Sequence, residues 1–225
     1  MSRRLRIAID GPVAAGKSTI ARMVAAKLGY TYIDSGAMYR ALGWAALKRG
    51  IDAADMQAAL SLLNQVGIEL KPQPEGANLI YLDGRDITGE IRTQEIGELA
   101  SKLSEIPEVR QRMVALQQEM ARGGGVVMEG RDIQTVVLPE AEVKIFLTAP
   151  ADERAKRRVL ELEERGHHVG YESVLREIVE RDHRDSTREH SPLRPAPDAV
   201  HVDTGGLTIE QVVGRVLEAV DRRGK

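Results

Sequence analysis

Hydrophobic and polar positions alternate along the chain in a pattern that predicts its elements. Leu5 to Asp10 is a short apolar run that stops at Gly11-Pro12, as a buried strand ending in a turn should. From Gly16 to Leu28, Ile20, Val24 and Leu28 recur at helical spacing, and Gly29 follows where a helix C-terminus favours a left-handed residue. Thr31 to Asp34 predicts a second strand and Ser35 to Lys48 a second helix. Strand, helix, strand, helix is the grammar of a parallel sheet with right-handed crossovers.

Between Gly67 and Asp86 the texture changes. GIELKP and ANLIYLDG alternate apolar and polar residues, and KPQPEGAN between them is a turn signal, so a small antiparallel hairpin is expected as an insert. Helices follow over about 93–103 and 107–122, the second opened by Pro107 near its first position. Gly123-Gly124-Gly125 leads into the apolar run VVMEG, and VKIFLT, residues 143–148, is the next such run. Two charge-rich helices are expected over about 151–165 and 171–188. HVDT, residues 201–204, ends a last strand, and Thr208 with Gln211 makes a capping-box pattern for the final helix. Five short strands among helices predict a single α/β domain over residues 1–225, a doubly wound five-stranded parallel sheet. Residues 1–66, 93–150 and 189–225 form its core, 67–92 a small antiparallel β insert, and 151–188 a helical excursion.

Composition narrows the function. With 42% apolar and 29% charged residues the chain has ordinary globular composition, which excludes collagen, a coiled coil and bulk disorder. Aromatics are 3%, so the core must be mostly Ala, Val, Leu and Ile. A net charge of −2 argues against a bulk polyanion binder, and no nucleic-acid partner is expected. The basic set is 24 Arg against 8 Lys, which reflects either a coding bias or a demand for bidentate grip on phosphates; only the positions of the arginines decide. The absence of Cys excludes disulfides, thiol nucleophiles and zinc–thiolate sites. No apolar run is long enough to span a membrane, and the apolar part of MSRRLRIAID is too short for a signal peptide, so a cytoplasmic protein with no membrane partner is the expectation.

Gly11-Pro12-Val13-Ala14-Ala15-Gly16-Lys17-Ser18 fits the phosphate-loop pattern G-x-x-x-x-G-K-[ST], with Thr19 following. A polyphosphate needs several N–H donors pointing inward, which a loop before a helix N-terminus supplies. The two glycines permit the tight path, Lys17 reaches the β and γ phosphates, and Ser18 offers a hydroxyl to Mg²⁺. Asp34, at the end of the second strand, is the carboxylate expected near the same ion. Neither an N-K-x-D guanine reader nor an apolar strand ending Asp-Glu occurs, since VVMEG ends in Glu129-Gly130. Asp86 to Gly89 matches D-x-x-G but falls in the hairpin and reads as a turn. Phosphoryl transfer to a small acceptor is therefore favoured over a switch or a motor.

Lys17, Arg40 and Arg131 each follow a predicted strand, which brings them to the sheet edge where α/β ligands bind and predicts a shared anion site. Glu177, Arg181, Asp185 and Arg188 are spaced four, four and three apart and share one helix face. On an isolated helix that ladder reads as a solvated face, and Arg154, Arg157, Arg158 and Arg165 of the preceding helix read the same way. His167 and His168 look like a polar turn, and no metal-binding histidine spacing is present.

Taken together and in order, IDGPVAAGKST, DSGAMYR, EIRTQEI, GRDIQTVV and ERDHRDSTR resemble the bacterial cytidylate kinases along nearly the whole chain. The resemblance implies that CMP or dCMP is phosphorylated by ATP with Mg²⁺, in a monomer. It makes the insert part of an enlarged monophosphate-binding region and 151–188 a lid with its flanking helix. It implies that Ser35, Ser101, Arg110 and Asp132 surround the cytosine, and that Arg40, Arg131 and Arg188 hold the acceptor phosphate or its neighbourhood. Arg181 and Asp185 would face the ribose, and Arg154, Arg157 and Arg158 would close on ATP. Lys17, Arg131, Arg181 and Arg188 would carry the catalysis. Gln134 stands where the family usually has Gly, and Val13 and Ala14 stand where Ser and Gly or Ala are common; the loop N–H groups survive those changes. A phosphate monoester at about −1.5 to −2 charge needs no general base, so positioning and fixed positive charge are what the chemistry requires. A kinase for another small acceptor, such as shikimate, is the neighbouring reading, and a nucleotide-dependent binding protein without turnover a more distant one.

Overall fold

The structure is a computed structural model and describes residues 4–71, 73, 78–164 and 166–223. In chain order its elements are β1 (Arg6–Asp10), α1 (Lys17–Leu28), β2 (Thr31–Asp34), α2 (Ser35–Lys48), α3 (Met56–Gln65), β3 (Ile68–Lys71), β4 (Leu79–Leu82), β5 (Arg85–Asp86), α4 (Gln94–Leu103), α5 (Pro107–Ala121), β6 (Val126–Gly130), a π-helix (Ile133–Val137), β7 (Val143–Thr148), α6 (Ala151–Glu164), α7 (Tyr171–Thr187), β8 (Val200–Asp203) and α8 (Ile209–Arg223). Strands β2, β6, β1, β7 and β8 form one parallel sheet in that order, and β3, β4 and β5 a separate antiparallel one.

The apolar runs of β1, β6 and β7 are buried on both faces, as parallel strands covered by helices must be. On one face Val24 and Ala25 of α1 and Val212, Val213 and Val216 of α8 pack with Ile7, Ile9 and Ile145. On the other, α2 to α5 form a second apolar cluster around Met38, Leu42, Leu62 and Met113, which takes in Ile80 and Leu82 of the insert. The core is aliphatic, as the scarcity of aromatics requires.

The doubly wound parallel sheet and the antiparallel insert agree with the sequence pattern. Gly29 closes α1 in the left-handed conformation at φ 64°, and the Thr208–Gln211 pair exchanges both capping hydrogen bonds before α8, at 2.9 and 3.3 Å. Most of the turn KPQPEGAN, and Arg165, lie outside the described residues. Three elements went beyond the pattern. Helix α3 is capped by Asp55, whose carboxylate accepts from Ala58 N–H at 2.9 Å. Strand β5 is only two residues long. The π-helix is held by a distant group: Asp10 Oδ1 and Oδ2 accept from the N–H groups of Ile133 and Gln134 at 3.0 and 2.8 Å. No helix among the described residues is long and apolar enough to cross a membrane.

Candidate active site

The register of the central strands brings their C-terminal ends together: Asp10 lies opposite Gly130, and Asp34 opposite Glu129. The phosphate loop leaves β1 at this edge. Gly11 has φ +155°, and a Cβ there would lie 2.1 Å from the carbonyl oxygen of Leu147, so the chain passes β7 too closely for any side chain. Gly16, at φ +87°, turns the loop into α1. Lys17 is buried and donates from Nζ to the carbonyl of Pro12 at 2.7 Å. Burial, with Arg131 and Arg181 nearby, brings its ammonium down to about 7. Val13 and Ala14 pack against the apolar cluster of Ala155, Val174 and Ile178 between α6 and α7.

Arg154 ties that helical pair to the loop. It donates to Ala149 O at 2.8 Å, to Val13 O at 3.2 Å and to Asp182 at 2.6 Å. Arg157 donates twice to Thr204, at 2.9 and 2.8 Å, in the turn after β8, and Arg158 pairs with Glu161. These three arginines, with Gly11, Pro12, Ala15, Gly16 and Thr19, lie outside the wall of the cleft beside Lys17.

That cleft, about 210 Å³ in volume, gathers the remaining sequence candidates. Val13, Ala14, Lys17, Ser18, Asp34, Ser35, Arg40, Ser101, Arg110, Arg131, Asp132, Arg181, Asp185 and Arg188 all line it. Arg40 of α2 lies against Gly97 of α4, where a Cβ would come within 3.0 Å of Nη1. Arg131 donates to Asp185 at 2.9 Å. Burial alone would lower the Arg131 pKa, but the Asp185 carboxylate outweighs it and raises it. Asp185 answers in kind: burial pushes it up, and Arg131 and Arg181 pull it below the usual carboxylate range. Arg181 is brought down to about 10 by burial and the Arg131 charge, and Arg40 and Arg188 are lowered by burial first and neighbouring arginines second. Arg181 Nε and Arg188 Nη2 are buried without a hydrogen-bond partner. A cluster of desolvated cations with unspent donors is a site prepared for an anion.

The far end of the cleft is set by Arg110 and Asp132, a buried pair 2.6 Å apart. Arg110 also donates to Ser104 O from Nε and Nη2 and lies 5.7 Å over the ring of Tyr39. Ser35 donates to Glu129 O at 2.6 Å, and Ser101 Oγ lies 3.4 Å from Arg184 Nη1. Among the described residues of 67–92, Arg92 alone reaches this wall; it stands 3.7 Å from Asp34.

Among the wall residues outside the sequence candidates, three carry a charge or an aromatic hydroxyl: Glu129, Arg92 and Tyr39. Glu129 is buried between Lys17 and Asp34 and accepts from Tyr32 Oη at 2.7 Å; burial, then the Asp34 charge, raises its pKa. Its position at the end of an apolar strand was the available signal. Arg92 sits in the segment EIRTQEI and Tyr39 precedes Arg40, so both adjoin residues the sequence had marked.

The phosphate-loop and Arg-rich segments are matched by a family-wide pattern. The sequence profile described as Cytidylate kinase matches residues 7–222. The chain belongs to the cytidylate kinase family. A cytidylate kinase of Geobacillus thermodenitrificans is 53% identical over 223 residues, covering 99% of each chain. One from Bacillus velezensis is 50% identical over 225 residues, the full length of both. The architecture is wider than the cytidylate kinases: a gluconokinase from Sinorhizobium meliloti 1021 shares the fold with a TM-score of 0.50 at 16% identity, over 99% of this chain and 94% of that one.

Proposed function

We propose that the protein transfers the γ-phosphoryl group of ATP to CMP or dCMP, giving CDP or dCDP and ADP. The observation that carries this reading is the meeting of Arg40, Arg131, Arg181 and Arg188 beside Lys17 in one cleft, with unspent buried donors on Arg181 and Arg188. Donor and acceptor phosphates repel each other, and fixed cations in a desolvated site offset that repulsion without reorganising during the reaction. Guanidinium forks match phosphate oxygens two at a time.

In this reading the loop from Gly11 to Thr19 takes the ATP phosphates on its N–H groups, and Lys17 leaves Pro12 O to reach the β and γ oxygens. Arg40, Arg131 and Arg188 hold the acceptor phosphate, and Lys17, Arg131, Arg181 and Arg188 balance the charge that develops during transfer. Arg181 and Asp185 face the sugar. Ser35, Ser101, Arg110 and Asp132 surround the base. Asp132 spends Oδ2 on Arg110, and a carboxylate retains acceptor capacity for the N4 amino group of cytosine. Uracil presents an oxygen there and leaves two acceptors facing each other, so CMP is preferred to UMP.

Mg²⁺ fits the donor set at the loop. The Ser18 hydroxyl and the Asp34 carboxylate line the same cleft, with Glu129 beside them, and one or two oxygen ligands plus substrate phosphates are what this ion takes. When bound it would neutralise phosphate charge. Residues 151–188 act as the lid. Arg154 and Arg157 brace it on Val13 and Thr204, and with Arg158 they approach ATP as it closes and excludes water as a rival acceptor. The insert, 67–92, belongs to the acceptor side, and the enzyme works as a cytoplasmic monomer.

The test is ADP release with CMP, dCMP, UMP, AMP and shikimate as acceptors. The expected result is turnover with CMP and dCMP well above the others. Equal rates with UMP would remove the role given to Asp132, and turnover with shikimate alone would replace the acceptor.

A further inference from the structure

Gln134 does not line the cleft, and its side chain is 1% exposed. Its backbone N–H and both ends of its side-chain amide are hydrogen-bonded. Its N–H donates to Asp10 Oδ2 at 2.8 Å, its Nε2 to Ile145 O at 3.2 Å, and its Oε1 accepts from Ala196 N–H at 3.0 Å. It therefore joins the end of β1, strand β7 and the segment between α7 and β8.

The two sides it joins are the two halves of the acceptor site. On one side, Gln134 follows Arg131 and Asp132 in the loop after β6. On the other, the segment beginning at Arg188 holds the end of α7: Leu193 N–H donates to Asp185 O at 2.7 Å, and Ser191 O accepts from Arg188 Nε at 2.5 Å. Asp185 returns to Arg131 at 2.9 Å and closes the circuit. Pro192, Pro195 and Pro197 lie in this segment and restrict its backbone, so a shift at Ala196 is passed along rather than absorbed. Ser191 adopts a left-handed φ of 53°, a conformation that surrounding contacts must hold in a residue other than glycine.

We propose that Gln134 is a positioning residue that fixes the loop carrying Arg131 and Asp132 against the segment carrying Asp185 and Arg188, and so sets the affinity for the nucleoside monophosphate. The proposal rests on the reading of the cleft given above. A buried amide that satisfies a carbonyl on one side and an N–H on the other has no apolar equivalent, because its loss leaves both backbone groups unpaired.

The experiment compares Gln134→Met, which keeps the volume and removes both hydrogen bonds, with Gln134→Gly, which removes the side chain. Steady-state kinetics should show KM for CMP raised about tenfold, with KM for ATP within about twofold of wild type, as expected when geometry is lost on the acceptor side alone. Hydrogen exchange at the Leu193 and Ala196 amides should accelerate in both variants. Val216→Ala, a buried residue of α8 on the other side of the sheet, serves as a control that lowers thermal stability and leaves the CMP KM unchanged. A Gln134→Met protein that loses thermal stability but keeps the wild-type CMP KM overturns the proposal. If wild type does not phosphorylate CMP, the acceptor reading fails on that measurement, and the clamp is judged by exchange alone: unchanged protection at Leu193 and Ala196 overturns it.

Discussion

Arg110 and Asp132 meet at 2.6 Å in a buried ion pair that joins α5 to the loop after β6. The pair orients Asp132, because Arg110 is itself anchored on Ser104 O through Nε and Nη2, at 3.0 and 2.8 Å. Base choice should therefore respond to the chemistry of residue 132 more than to its size. Asp132→Asn keeps one acceptor and adds an amino group that can donate to the O4 of uracil. The expected outcome is a fall in the CMP/UMP ratio of kcat/KM by about tenfold or more, since a misplaced donor or acceptor is what rejects the wrong base. Steady-state kinetics with the two nucleotides measures it, and an unchanged ratio would mean that Asp132 does not read the base.

Lys17 gives a prediction with a sign. Replacing it with Ala should lower kcat by about a hundredfold or more while far-UV circular dichroism stays that of wild type, because a charge aimed at the transferring group is lost. In the free protein its ammonium is held down to about 7, chiefly by burial and then by Arg131. The negative charge of ATP favours the protonated form, so binding above pH 7 takes up a proton and affinity falls as pH rises, by at most about tenfold per pH unit. Calorimetric titration of ATP between pH 6 and 9, in buffers of different protonation enthalpy, reads both the affinity and the proton count. An affinity independent of pH, with no proton taken up, would place Lys17 outside the phosphate site.

The parts of the fold that were legible are those whose causes are local. The apolar runs ending at Asp10, Asp34 and Gly130 became strands of the sheet, and Gly29, Pro107 and the Thr208–Gln211 pair bounded helices as their chemistry requires. The phosphate loop was legible because its residue types are demanded at fixed spacing. What stayed hidden depends on partners far along the chain. The π-helix follows a carboxylate 123 residues away, at Asp10. The ladder Arg181–Asp185–Arg188 reads as a solvated face until Arg131, 54 residues earlier, is seen to pair with Asp185. Nothing local to Gln134 tells where its side chain goes, since its partners, Ile145 O and Ala196 N–H, lie 11 and 62 residues further along the chain.

Asp10 supplies a prediction about stability. Its carboxyl is fully buried and is pushed up to about 6 by burial, against the pull of the Gln134 and Ile133 N–H groups. The folded state then keeps its proton at a pH where the unfolded chain, near 3.8, has lost it. A raised acid favours folding below its unfolded pKa, and that contribution disappears as pH rises through the folded value. About two pH units of displacement amount to something on the order of 3 kcal/mol. Asp10→Asn cannot ionise, and its amide can accept only one of the two N–H groups, so it should be less stable throughout. The informative quantity is the difference between wild type and Asp10→Asn in urea unfolding, followed from pH 4 to 7: it should shrink with rising pH and level off beyond about 6.5. The Glu142 carboxylate, held down to about 2 by its pairing with Arg6 in spite of burial, changes the acid limb of both proteins alike and cancels in that difference. A difference that grows with pH would mean that the two backbone donors outweigh burial, that Asp10 is a stabilised carboxylate below its ordinary value, and that the loop bearing Arg131 and Asp132 is anchored by charge.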